Sequence, residues 1–240
     1  MKMYWDLYFE NYSNEELIRE NYNPLRDFES ELIEGTIIDI GCGQSAFILD
    51  FLCLEKNLIG VDSELFQLEY LKKRIEKYSS EKLKSCQFIN ATFPQENLPD
   101  IDYSAIILSN LLHFFDLETN IEIGKILANK AKSGTIIYIQ VHSHKHYANK
   151  PEDPDNNIYF KHFFNESDLK LIFNNILFDR IYFADIESID SKKSVTFLEK
   201  WLDKNLDKNK VFDPIRRLAV KKDYLINKSD SYYVAMFRKK

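Results

Sequence analysis

Along most of this 240-residue chain, short runs of unbroken apolar character alternate with longer stretches in which apolar residues recur every three or four positions. Runs of the first kind read as strands and stretches of the second as helices. Strands are predicted over residues 36–40, 58–62, 86–90, 103–109, 135–141, 178–186 and 232–238. Residues 46–55 carry Phe47, Ile48, Phe51, Leu52 and Leu54 on nearly every side, which suits a helix buried between a sheet and its neighbours. Residues 64–78 place Leu65, Leu68, Leu71 and Ile75 on one face and charges on the other, as in a covering helix. Further helices fall at 117–132, with Asp116 as its N-cap, and at 167–175. Pro94 and Pro99 make the link between the third and fourth strands a loop. This alternation predicts an α/β fold, a doubly wound, mostly parallel sheet with helices on both faces.

Composition narrows the picture without changing it. At 28.5 kDa, with 45% apolar and 29% charged residues, the chain can bury a substantial core, so a single domain over 1–240 is expected. A formal charge of −6 disfavours a nucleic-acid surface, which needs clustered Lys and Arg. The start Met1-Lys2-Met3-Tyr4-Trp5-Asp6 has an early charge and no apolar h-region, and no run approaches the about 18 apolar residues of a membrane span. Cys42, Cys53 and Cys86 are odd in number and form no C-x-x-C pair, so they read as reduced thiols. A cytoplasmic location without membrane association is expected.

The candidate chemistry is concentrated in Ile37-Ile38-Asp39-Ile40-Gly41-Cys42-Gly43-Gln44-Ser45, where an apolar strand turns into a helix. Gly41 and Gly43 lack a Cβ, so the turn can adopt unusual dihedrals and a ligand can lie against the main chain. The amides opening the next helix are free donors. Two adenosine cofactors use such a turn. Gly41-Cys42-Gly43-Gln44-Ser45-Ala46 satisfies the Gly/Ala form of the dinucleotide fingerprint, with Asp62 near the about 20-residue spacing of a ribose-binding acid. Asp39 favours the other cofactor, because a carboxylate repels a pyrophosphate and suits a cationic reactive end.

Here the sequence resembles the class I S-adenosylmethionine-dependent methyltransferases, whose first motif reads acid-x-Gly-x-Gly-x-Gly after the first strand. Ser45 stands at the third glycine position; it is small enough to keep helix and strand close. The resemblance spans roughly residues 35–185 and implies a Rossmann-like sheet of seven strands with the last antiparallel. It implies S-adenosyl-L-methionine as cofactor, held by Asp39, Gly41, Cys42, Gly43, Asp62, Ser63, Asn90, Ala91 and Ser109. Asp62 matches the acid that accepts from both ribose hydroxyls; it also suits an N-cap for a helix beginning at Ser63 or Glu64. Asn90-Ala91 falls where relatives accept from the adenine amino group and donate a backbone amide to the ring; a plain turn is the alternative. Asp39 either caps the glycine turn or reaches the amino-acid part of the cofactor through that loop.

Ser109-Asn110-Leu111-Leu112-His113-Phe114-Phe115 follows the fourth strand, where the family exposes the methyl group to its acceptor. His113 is the candidate catalytic residue, able to take a proton from a hydroxyl, thiol or ammonium nucleophile; a packed core imidazole is the alternative. His142, His144 and His146 would align on one side of an extended chain and could hold zinc. No companion acid motif accompanies them, so no metal is expected and substrate contact is the reading preferred.

The implied layout is an N-terminal helical cover or lid over 1–34, a cofactor-binding core over 35–189, a helical insertion over 190–230 and a last strand over 231–240. Residues 147–164 read as a flap over the acceptor pocket or a surface loop anchored by aromatics. Residues Tyr4 to Phe9 are either a lid whose indole meets the cofactor or a helix that simply packs. In the insertion, Val195, Leu198, Trp201, Leu202 and Leu206 form an apolar stripe whose partner the sequence leaves open. The expected function is methyl transfer by in-line displacement to a small-molecule acceptor. Alternatives are a protein (lysine) methyltransferase, a non-catalytic S-adenosylmethionine-binding module and, from another class, a nicotinamide-dependent oxidoreductase.

Overall fold

The apolar runs form strands β1 (Thr36–Ile40), β2 (Leu58–Asp62), β3 (Cys86–Asn90), β4 (Tyr103–Ser109), β5 (Ile136–His142), β6 (Phe178–Ile189) and β7 (Ser229–Lys239). The helices are α1 (Lys2–Asn11), α2 (Asn14–Glu20), α3 (Ala46–Phe51), α4 (Leu65–Tyr78), α5 (Leu117–Lys130), α6 (Glu166–Ile172), α7 (Lys192–Lys208) and α8 (Pro214–Leu225). The structure is a computed structural model that describes residues 2–20, 23–189, 191–225 and 229–240. Residues 1, 21, 22, 190 and 226–228, which belong to the predicted cover and insertion, lie outside the described residues.

One sheet runs in the order β3-β2-β1-β4-β5-β7-β6. β1 pairs in parallel with β2 and β4, β2 with β3, and β4 with β5, while β7 is antiparallel to β5 from Ile136↔Arg238 to His142↔Tyr232. All five residues of β1 are buried, as a central parallel strand requires. The winding reverses between β1 and β4, so their carboxyl ends border the crevice where open α/β sheets bind ligands.

Alternation along β1 separates two faces. Ile38 and Ile40 join a core with Ile106 and Leu108 of β4, Ile137 and Ile139 of β5, and Ile123, Leu127 and Leu169 of α5 and α6. Ile37 and Asp39 face the other way. Phe47, Ile48 and Phe51 of α3 and Leu68, Leu71 and Ile75 of α4 are buried as their spacing predicts.

Four predicted strands coincide with β1 to β4, and β5 lies one residue later than predicted. α3 is shorter than predicted. It stops at Phe51 because Leu52 and Leu54 close tight turns onto Leu49 and Phe51, leaving room to enter β2 at Leu58. β6 and β7 are longer than predicted because, as sheet neighbours, each supplies the other with ladder partners.

The chain divides into two compact units, residues 14–186 with 231–240, and residues 1–13 with 187–230. The second contains α1, α7 and α8. Tyr4 meets Phe197 and Trp201 edge-on at 5.0 and 5.6 Å, and Tyr8 and Tyr12 each approach Phe197 at 5.7 Å. The predicted stripe therefore has a partner, α1, although its buried residues are Phe197, Leu202 and Leu206 while Val195, Leu198 and Trp201 are half-buried. α8 is held to α7 by Arg217 on Asp203 and Asp207, at 2.7 and 2.5 Å, and by Lys221 on Asp203 at 2.7 Å.

Candidate functional site

At the end of β1 the chain rises into a turn. Cys42, Gln44 and Ser45 are buried, while Gly41 and Gly43 are half-buried with left-handed φ of +69° and +51°. A Cβ at Gly41 would strike Leu111 Cδ1 at 2.9 Å, whereas one at Gly43 would meet nothing within 4 Å. Gly43 thus borders open space at the mouth of the crevice. The Gly41 and Cys42 amides donate to the Val61 carbonyl at 2.8 and 3.0 Å, pinning the turn to β2. The Cys42 side chain packs inward, its sulfur 3.1 Å from where a Cβ on Gly60 would stand, so only its backbone can meet a ligand.

Asp39 lies beneath the turn, 2% exposed. The Ser45 hydroxyl donates to Asp39 Oδ2 and also accepts from the Ile48 amide at 2.9 Å, so one serine caps α3 and orients the acid. Among the described residues Asp39 Oδ1 has no partner. Burial pushes the carboxyl up to about 7, the Ser45 hydrogen bond pulls it down, and the Asp62 charge adds a smaller rise. The charge that separated two cofactors in the sequence is therefore half titrated near neutrality, and a cation nearby would draw it back to the ionised form.

Asp62 is both cap and clamp. Its Oδ1 accepts from the Glu64 amide and its Oδ2 from the Gly43 amide, each at 2.8 Å. Burial raises its pKa, and the two amides lower it. Each carboxylate oxygen can accept a second hydrogen bond, so these contacts leave room for a diol. Asn90 donates its amide hydrogens to the carbonyls of Asp62 and Ser63 at 2.9 and 2.8 Å, which leaves its oxygen as an acceptor at the surface. The Ala91 amide, expected to donate to a bound ring, instead donates to the Asp62 carbonyl at 3.2 Å.

Sequence reasoning missed the support of this turn. Arg74 of α4, only 4% exposed, donates through Nε to Gln44 Oε1 at 3.0 Å, and its backbone carbonyl accepts from Asn14 of α2 at 3.0 Å. The signal was present, because Arg74 interrupts the apolar stripe Leu68, Leu71, Ile75. Tyr138 of β5 was also missed; its ring packs 4.8 Å from Phe47 and its hydroxyl donates to Gln140 at 3.2 Å.

Across the crevice, Ser109 ends β4 half-buried, and Asn110 takes a left-handed φ of +56° while its amide donates to the Gln140 carbonyl at 2.9 Å. Leu111 then covers Gly41, and Asp116 caps α5 through the Thr119 amide at 2.8 Å, as expected. His113 is 1% exposed. Its ring stacks on His142 at 3.8 Å, and His142 stacks in turn on His146 at 3.9 Å. Phe160 meets both His113 and His142 edge-on, at 5.1 and 4.6 Å. Desolvation pulls His113 down to about 3 and His142 to about 2, with repulsion from His146 adding to the first and from His113 and His146 to the second. Held so low and buried, His113 is a neutral and weakly basic ring, which favours the packed imidazole over the base expected from the sequence.

The expected alignment of His142, His144 and His146 is not found. The chain turns after Ser143, where the His146 amide donates back to the Ser143 carbonyl at 3.0 Å, so His146 returns to His142 while His144 contacts the Tyr233 hydroxyl at 3.2 Å. Among the described residues no three His, Cys, Asp or Glu side chains group as a metal site. Residues 147–164 form a loop anchored by Phe160 and Phe163 on the imidazoles. A polar cleft of about 510 Å³ opens within it, between His144, Asn149, Asp153 and His162, and includes no residue of the glycine turn.

Comparison with known structures decides the architecture. TehB from Haemophilus influenzae superposes with a TM-score of 0.62 at 14% identity, over 92% of this chain and 63% of that one. A coclaurine N-methyltransferase bound to N-methylheliamine and S-adenosylhomocysteine gives 0.62 at 16% identity, over 90% and 71%. An S-adenosylmethionine-dependent methyltransferase from Methanosarcina mazei gives 0.61 at 14% identity, over 91% and 98%. The fold is that of the class I methyltransferases. This chain spans less than two thirds of TehB. No family model and no curated protein matches the sequence. Within the methyltransferase fold, the Gly41–Gly43 turn, Asp62 and Asn90 stand at the carboxyl ends of β1, β2 and β3, and the imidazole column stands at those of β4 and β5.

Proposed function

We propose that this chain binds S-adenosyl-L-methionine at the turn between β1 and α3 and passes its methyl group to a nucleophile on a small molecule. The observation that carries this reading is the set of acceptors around the turn. Asp62 has unused lone pairs on both oxygens, Asn90 presents an oxygen, Asp39 Oδ1 is unpartnered, and Gly43 borders open space. A nucleoside offers hydroxyl and amino donors to the first two, and its cationic amino-acid end suits an acid that ionises when a positive charge approaches. A pyrophosphate would offer only further acceptors to the same groups.

When bound, the cofactor supplies an already activated methyl group, so the protein has mainly to align the partners and exclude water. Gly41, Cys42 and Gly43 would present backbone, Asp62 and Ser63 would hold the ribose side, and Asn90 with Ala91 would border the adenine. The Ala91 amide, committed within the protein, would serve there as a wall. Ser109 and Leu111 would flank the crevice on the acceptor side. Next to them the neutral rings of His113 and His142 and the exposed faces of Phe114, Tyr147 and Tyr159 make an aromatic border suited to a flat, largely apolar acceptor. His113 would act as part of that wall. An acceptor that must lose a proton would lose it to solvent or to a group of its own.

The test is turnover. Purified chain incubated with S-adenosylmethionine and a panel of aromatic alcohols, thiols and amines is expected to release S-adenosylhomocysteine. Cofactor binding without product across small molecules and protein extracts alike would favour a non-catalytic binding module. Product only with protein acceptors would move the reading to a protein methyltransferase.

A further inference from the structure

Helix α8 is amphipathic in an inverted sense. Arg217 and Lys221 face α7 and are held there by Asp203 and Asp207, and Tyr224 packs 5.6 Å from Trp201 of α7, while Ile215 and Leu218 face out. Ile215 and Leu218 are 81% and 69% exposed, and Phe212, in the turn before the helix, is 69% exposed. Spaced three apart, these side chains form one ridge along a helix face. The ridge is kept outward by the ion pairs behind it and by Asp213, which caps the helix through the Ile215 and Arg216 amides at 2.8 and 3.1 Å. Exposed Arg216 and Lys222 flank it. The surrounding insertion, residues 190–230, carries eleven Lys and Arg against seven Asp and Glu, a net +4 in a chain whose total is −6.

We propose that this ridge is a docking surface for an anionic lipid bilayer. Large apolar side chains on an exposed helix face, bracketed by cations, match the boundary where acyl chains begin beneath negatively charged headgroups. Phe212, Ile215 and Leu218 enter the boundary, and Arg216 and Lys222 meet phosphates. The acidity of the rest of the chain does not prevent this, because at physiological salt charges more than about 8 Å away are screened. A second copy of the chain is a poorer occupant. Face-to-face pairing would oppose Arg216 and Lys222 with their own equivalents, and three side chains fall well short of the roughly 800 Å² per partner that a stable dimer buries. The contact is peripheral, since no helix of the described residues is long and apolar enough to cross a membrane.

The experiment is co-sedimentation of the full chain with vesicles of phosphatidylcholine alone or mixed with phosphatidylglycerol. The chain is expected to sediment with the mixed vesicles, to stay in solution with the neutral ones, and to be released as salt is raised. The double variants Ile215→Asp with Leu218→Asp and Arg216→Glu with Lys222→Glu should each lose about tenfold in partitioning without a change in melting temperature. Failure of the folded chain to sediment with anionic vesicles, or equal sedimentation of wild type and both variants, would overturn the proposal. So would a concentration-dependent dimer that disappears in the Ile215→Asp, Leu218→Asp variant, which would assign the ridge to a second copy.

Discussion

The turn after β1 and the imidazole column after β4 and β5 sit at the same carboxyl edge of one sheet, yet they treat their polar groups in opposite ways. Around the turn, Asp62 and Asn90 hold backbone groups and still face outward with acceptors available, and Asp39 keeps one oxygen unpartnered. In the column, His113 is buried and His142 half-buried, and the two rings are stacked face to face and kept neutral. The first arrangement is made to receive donors. The second makes a hydrophobic wall from residues usually associated with proton transfer. Residue type alone therefore does not locate the chemistry; the unused valence of each group does.

The sharpest way to break this contrast is through acid stability. Burial holds His113 at about 3 and His142 at about 2, whereas the unfolded chain returns both to the ordinary 6.5. Between those values the unfolded state binds more protons, so the contribution is complete above about pH 6.5 and is lost as pH falls, at up to about 1.4 kcal/mol per unit for each histidine. Asp39 acts in the opposite sense. Held up at about 7 against an ordinary 3.8, it stabilises fully below 3.8, and that contribution is lost as pH rises through 7. His142→Phe keeps a flat ring without the proton and should reduce the loss of stability between pH 6.5 and 4.5 by about 2 kcal/mol in urea titrations. An identical pH profile for variant and wild type would mean that the column is wet and titrates normally.

The turn is tested by cofactor affinity. Asp62→Ala should weaken S-adenosylhomocysteine binding by about 1–3 kcal/mol, because it removes a diol acceptor and releases the Gly43 amide. Calorimetry that found the affinity unchanged would leave Asp62 as a cap alone. Gly41→Ala should cost about 1–2 kcal/mol of folding stability from the left-handed φ, with Leu111 displaced, and a melting temperature equal to wild type would rule out that geometry. Asn90→Ala is the mildest, with a loss of about 0.5–1.5 kcal/mol in cofactor affinity and little effect on stability. If Asn90→Ala outweighed Asp62→Ala, the ribose and adenine assignments would need to be exchanged.

Much of the sheet was legible because central strands are continuous apolar runs with turn residues at their ends, as in Tyr103–Ser109 and Leu58–Asp62. The glycine turn was legible for the same local reason, since a strand, an acid and two glycines lie in nine consecutive residues. The column was not. His113 and His142 are 29 positions apart and meet only because β4 and β5 pair in parallel, with Ser109 opposite Gln140. α8 escaped notice because Ile215 and Leu218 face outward, and nothing in the sequence distinguishes an exposed ridge from a buried one. Phe197 was passed over among the stripe of α7 because its place depends on Tyr4, Tyr8 and Tyr12, at the other end of the chain.

The central claim is that the Gly41–Gly43 turn is built for a cationic nucleoside rather than a dinucleotide. Isothermal titration of the folded chain with S-adenosylhomocysteine and, separately, with NAD tests it directly. Saturable heat at one equivalent with the thioether and none with NAD is the expected result. Binding of NAD in its place, or no heat with either S-adenosylhomocysteine or S-adenosylmethionine, would contradict the account.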